Sequence, residues 1–326
     1  MAENGYTRYM AYLESEELIG HSLQRGFLAR SLKNGRHHAF LLVGPEHLGK
    51  DTVARALIAD ELKRPVTSWQ ELAGQPDVRV LSRAEGEKNI GIEAIRGFID
   101  HFSSSSFWGG RKVGVISGAH ELSQEAANAL LKTLEEPAGK ALLVLIAHSL
   151  DRLPETVKSR CQVVRFLTVP PVIVAEGLAR RGLDPISAKV SAAFSAGRPG
   201  LAVQHAEDAA LRAERAEEAR AFMELADRPI ASRLAAASEI TSKAETPALG
   251  ALLDVWVAVL RDALSVATGN ERYATDQTAL PSLRSFAAKR SIAGILKAHR
   301  CLAAGKRMLA ENVNPRLIFE HIALSL

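Results

Sequence analysis

Cysteine is nearly missing from this chain: Cys161 and Cys301 are the two among 326 residues. Two thiols cannot furnish a four-cysteine metal site, and they suggest no disulfide framework. Aromatic residues make up 5%, which disfavours a basic, ring-lined surface for nucleic acid. Neither sign of charge dominates, since 41 Lys and Arg against 37 Asp and Glu leave a net +4. That balance does not by itself argue for a nucleic-acid partner. Long apolar runs are absent too. The longest, ALLVLIA at 141–147, falls far short of the ~20 residues a membrane helix needs. The opening MAENGYTRYM has no apolar signal core. A cytoplasmic protein with no membrane partner is the expectation.

What is present is an ordinary soluble composition, 47% hydrophobic and 24% charged. The length exceeds one typical core, so two or three domains are expected. Short apolar runs at 37–44, 77–82, 111–118, 140–149 and 161–167 read as buried strands. Helical spacing fills the gaps. Val53, Ala56, Leu57 and Leu62 share one face, and Ile92, Ile95, Ile99 and Phe102 another. SQEAANALLKTLEEP (123–137) has Ser123 placed as an N-cap and Pro137 as a stop. PETVKSR (154–160) is a short helix. Strand and helix alternate, which predicts a doubly wound, mostly parallel α/β domain. After TVPP (168–171) the strand pattern ends. Helical segments are predicted at GLARRG (177–182) and DPISAKVSAAFSAGRPG (184–200), from about 201 to 225, and at 248–264, 291–309 and 314–326, with a polar loop at 269–281.

GPEHLGKD (44–51) sits between a strand and a helix, where a phosphate-binding loop belongs. Gly44, Gly49 and Lys50 match that pattern. The Ser or Thr that should ligate Mg²⁺ is replaced by Asp51, and Thr52 comes one residue late. The strand that should end in Asp and Glu, to hold metal and polarise water, ends in Ser117 and Gly118 instead. Glu121 lies close by but out of register. A carboxylate ~5 Å from a phosphate costs about 3 kcal/mol at an effective dielectric near 20. Two readings of 44–52 stand: a tight strand-to-helix turn, or a weak ATP or anion site at a helix N-terminus. No cofactor is required in either, and no metal site is predicted.

Other residues are read more briefly. His37, His38, His47, His120 and His148 fall near strand ends without a diagnostic metal spacing, so loop and capping roles are expected. Trp256 shares an apolar stripe with Leu252, Leu253, Val257 and Leu260, which suits packing. RAERAEEAR (212–220) reads as a solvated face with i,i+4 ion pairs. On spacing alone, Arg160 is a basic residue closing a short helix.

Residues 17–62, the N-A-L-L-K-T-L-E-E-P run within 123–137, Ser159-Arg160-Cys161 and the ending ENVNPRLIFEHIALSL together resemble the AAA+ clamp-loader subunits of bacterial DNA polymerase III. The resemblance is weakest over about 205–285. It implies an AAA+ core (1–168), a small helical lid (169–212) and an all-α collar that oligomerises (213–326). It implies a ring with tau/gamma and delta subunits that opens the beta sliding clamp and places it on primer-template DNA. With its degenerate motifs, this chain resembles the subunit that does not hydrolyse ATP. Arg160 is then an arginine finger reaching in trans to a neighbour's ATP, worth ~10³–10⁵ in rate. The alternative is an active tau/gamma-like motor. The resemblance also implies that His148 or Ser149 marks a vestigial phosphate-sensing position. Arg198, in GRPG (197–200), is either a sensor remnant or a turn residue. Many relatives carry a four-cysteine zinc module after the first helix; 63–77 has no cysteine, so no zinc is expected. Nothing supplies nucleotidyl-transfer chemistry, so a DNA-directed DNA polymerase label would attach by membership alone.

Overall fold

The computed structural model describes residues 12–326 apart from 36, 73, 108, 138 and 275–278. The opening MAENGYTRYM and part of the predicted loop at 269–281 therefore lie outside the described residues. The chain divides into two units. The first runs to Val169 and includes Arg198–Gly200; the second takes Pro170–Gly197 and Leu201–Leu326.

Five strands form the first unit's sheet: β1 (Ala39–Val43), β2 (Val78–Leu81), β3 (Lys112–Ser117), β4 (Ala141–Ala147) and β5 (Gln162–Arg165). Their order is β2-β3-β4-β1-β5, and every pairing is parallel. β1 and β4 are buried along their whole length, which is why both read as unbroken apolar runs. The period-2 alternation of a strand then sorts their residues between two cores. Phe40, Leu42, Leu142 and Val144 join a cluster with Leu28 of α1 (Ser22–Asn34) and Val53 and Leu57 of α2 (Lys50–Leu62). Leu41, Val43, Leu143 and Leu145 face the other way. They meet Ile95, Phe98 and Phe102 of α3 (Ile92–Ser103), Leu130 of α4 (Gln124–Glu135) and Val157 of α5 (Glu155–Lys158). The expected doubly wound, parallel α/β architecture is present. One stripe needs correction: Phe98 is buried in α3, whereas Ile92 is only half-buried.

The second unit contains α6 (Pro171–Arg180), α7 (Pro185–Phe194), most of α8 (Pro199–Glu207), α9 (Ala209–Ala226) and α10 (Ile230–Lys243). It continues with α11 (Thr246–Ala267), α12 (Leu280–Ala288), α13 (Ile292–Ala310) and α14 (Pro315–Ser325). Among its described residues there is no strand. Its core is built around Trp256, stacked 4.8 Å from Phe222 and edge-on to Phe319 at 5.6 Å. The single helix expected from about 201 to 225 is in fact two. Asp208 adopts extended backbone and its carboxylate accepts from Leu211 N, capping α9. An aspartate that caps a new helix competes with continuing the old one. α10 and α12 were not legible in advance: α10 buries only Ala237, so it offers no broad apolar stripe. The ion pairs at 212–220 also differ in spacing, since Arg215–Glu218 and Arg220–Glu217 are i,i+3.

Candidate phosphate loop and arginine finger

The loop after β1 is fixed at both ends by glycine. Gly44 has φ 152°, and a Cβ there would lie 2.3 Å from Phe166 O. Gly49 caps α2 at φ 86°, a conformation that favours glycine. Between them the loop turns on itself. Lys50 Nζ donates to Gly44 O and Pro45 O, each at 2.6 Å, and the residue is 3% exposed. Burial lowers its ammonium pKa, while Asp51 and Glu46 oppose the shift. The cation that would meet a phosphate is thus bonded to the loop's own carbonyls. The tip is held as well, because Gly200 N–H donates to His47 O at 2.7 Å. A side chain at Gly200 would meet that same carbonyl oxygen at 2.9 Å. Arg198 accordingly comes close enough for its charge to help lower the His47 pKa, after burial as the main cause.

Asp51 and Ser117, singled out in two separate sequence motifs, come together. Asp51, exposed in the first turn of α2, accepts from Ser117 Oγ at 3.5 Å and from Trp69 Nε1 at 3.3 Å. A carboxylate stands on the loop and a hydroxyl on the strand, the reverse of the usual order. Thr52 is half-buried beside them. Gly118 turns at φ 79°, and a Cβ there would meet Glu121 Oε2 at 2.5 Å. The other oxygen of Glu121 accepts from Arg83 Nε at 2.9 Å. The Glu121 carboxylate is therefore already paired. Trp69 was not foreseen. It lies in the cysteine-free 63–77 segment, and no local pattern announces a contact 18 residues away.

The histidines spread out. His148 Nδ1 lies 3.2 Å from Glu46 Oε1, and its ring is 4.2 Å from that of His120. Burial is the main cause lowering both pKa values. His38 Nε2 contacts Leu134 O at 2.8 Å, and His37 lies against Phe40. Among the described residues no group of three or more His, Cys, Asp or Glu is arranged to hold a metal. Ser149 Oγ donates to Asp151 at 2.9 Å, closing a local turn.

Arg160 follows α5. Its Nε donates to Glu135 Oε1 at 2.5 Å, and Nη2 pairs with the same oxygen. Nη1 donates to Thr156 O at 2.9 Å and approaches Ser159 Oγ at 3.4 Å. The side chain keeps 30% of its surface exposed. Next to it, burial pushes the Cys161 thiol up to about 12, so this cysteine packs as an inert apolar group.

Residues 21–170 match a family model described as DNA polymerase III, delta subunit. The Pseudomonas aeruginosa DNA polymerase III subunit delta' is 40% identical over 135 residues, covering 38% of this chain and 41% of that protein. The Escherichia coli subunit delta' is 30% identical over 190 residues, 54% of this chain and 57% of that one. The gamma subunit of Buchnera aphidicola is 33% identical over 155 residues, 44% and 43% of the two chains. The matched stretches thus span about half the length of these relatives. Residues 21–170 are thus similar to DNA polymerase III subunits of both the delta' and the gamma kind.

Proposed function

We propose that this chain is the delta-prime-type, non-hydrolysing subunit of a DNA polymerase III clamp loader. It assembles with tau/gamma and delta subunits and helps place the beta sliding clamp on primer-template DNA. It supplies Arg160 in trans to an ATP bound by a neighbour. The observation that carries the reading is the exchanged pair at the phosphate loop. Asp51 brings a negative charge where a triphosphate would sit, at a cost of about 3 kcal/mol. Ser117 offers no carboxylate to hold a metal, and Lys50 is engaged by Gly44 O and Pro45 O. These residues do not fit a magnesium-bound triphosphate, so no hydrolytic step is assigned to them. Arg160 has the opposite character. Its guanidinium stays charged, keeps part of its surface accessible and presents a planar fork of donors suited to phosphoryl oxygens. On this reading the helical second unit supplies the lid and the collar.

Mixing the purified chain with tau/gamma and delta subunits and sizing the product tests the assignment. A single co-eluting complex is expected, and the chain alone turns over no ATP above background. Failure to co-assemble, or magnesium-dependent turnover by the chain alone at a motor's rate, overturns the reading.

A further inference from the structure

The position of Glu135 raises a question that local stability does not answer. It is the last residue of α4, where the helix dipole disfavours a carboxylate. It is also largely exposed, its side chain retaining 48% of its surface, so an ion pair there adds little to folding. Yet it takes two donors of Arg160, Nε and Nη2, on one oxygen. The guanidinium has five N–H donors in a rigid plane. Glu135 engages the side edge of that plane, and Thr156 O takes one Nη1–H. What remains is the second Nη2–H, at the end of the fork, and an Nη1–H only loosely met by Ser159 Oγ at 3.4 Å. Two anchors on different helices thus fix the plane and leave its tip for an incoming oxygen.

We infer that Glu135 is a positioning residue for Arg160: its carboxylate holds the side edge of the guanidinium so that the end of the fork meets a phosphoryl oxygen of the neighbouring subunit's nucleotide. The inference rests on the proposed trans role of Arg160 and adds to it the group that aims it. Arg160 has several rotatable bonds, and without Glu135 it samples many orientations. A misplacement of about 1 Å can cost as much as ~10²-fold in rate. The second anchor at Thr156 O remains in a Glu135 variant, so the expected loss is smaller.

The test uses the complete complex with DNA and clamp, carrying the wild-type chain, Arg160→Ala, Glu135→Ala, Glu135→Gln or the double variant Glu135→Ala/Arg160→Ala. The readout is the Arg160-dependent part of ATP turnover, the wild-type rate minus that of Arg160→Ala. Glu135→Ala is expected to reduce this part about tenfold in kcat with KM held within about twofold. Glu135→Gln, which keeps an acceptor without its charge, falls between. The double variant matches Arg160→Ala alone, because residues acting as a unit do not add. Sizing confirms that each variant assembles, and the isosteric Gln variant carries the test if the Ala variant does not fold. If Arg160→Ala costs turnover but both Glu135 variants keep more than half of that part, the inference is wrong. An equal Glu135→Ala loss with and without Arg160 would also refute it, by showing a general structural effect. If Arg160→Ala costs nothing, the trans role itself fails and the inference falls with it.

Discussion

At the scale of single residues, Asp51 and Ser117 hold each other's chemistry. The double variant Asp51→Thr/Ser117→Asp restores a hydroxyl on the loop and a carboxylate on the strand. Removing the Asp51 charge lifts a repulsion of about 3 kcal/mol, roughly a hundredfold in affinity. Calorimetric titration with Mg-ATP is expected to show binding by the double variant well above that of the parent. Equal, tight binding by both would mean that the exchange is not what weakens the site. Much of this is legible in the sequence, because loop motifs are read letter by letter: Asp51, Ser117 and Gly118 each depart from the expected pattern. Their closure on one another is not. The Trp69 donor to Asp51 and the Lys50 bonds to Gly44 O and Pro45 O depend on how the chain folds back, and no spacing encodes that. Glu135 was likewise silent as one of two glutamates closing a helix.

Secondary-structure elements show where pattern succeeds. The strands of the first unit were placed within a few residues, since β1 and β4 must be apolar on both faces. Glycine and proline punctuated the rest. In the second unit a run of Ala, Glu and Arg looked like one long helix because these residues all favour helix. The break depends on one side chain, Asp208, whose carboxylate accepts from Leu211 N at 3.0 Å. Asp208→Ala is expected to cost about 1 kcal/mol, a fall of roughly 2–4 °C in the melting temperature of the second unit. An unchanged melting curve would show that the cap does not stabilise α9. The first unit has a matching feature at Ser123, whose Oγ accepts from Ala126 N at 3.1 Å to start α4. That cap is legible in the sequence because it directly precedes a periodic apolar run.

Across the whole molecule, the first unit depends on histidines that are neutral when folded. His21, His47, His101, His120 and His148 all have pKa values lowered from 6.5, with burial as the main cause. The unfolded chain takes up protons near 6.5 and the folded chain only below that, so the unfolded state binds more protons in between. Stability is therefore full above pH 6.5 and declines as the pH falls through the lowered values. Calorimetry at pH 7.5 and 5.5 is expected to show the first unit melting earlier at the lower pH. A higher melting temperature at pH 5.5 would contradict this account of the lowered histidine pKa values.

The proposed division of labour between Lys50 and Arg160 concerns the molecule as a whole, and one comparison addresses it. DNA-stimulated ATP turnover is measured in the full complex with this chain as Lys50→Ala or as Arg160→Ala. If this subunit lends a cation and consumes no nucleotide, Lys50→Ala leaves turnover within about twofold of wild type, whereas Arg160→Ala removes the share that a trans arginine supports. Loss of turnover with Lys50→Ala and none with Arg160→Ala would contradict the account.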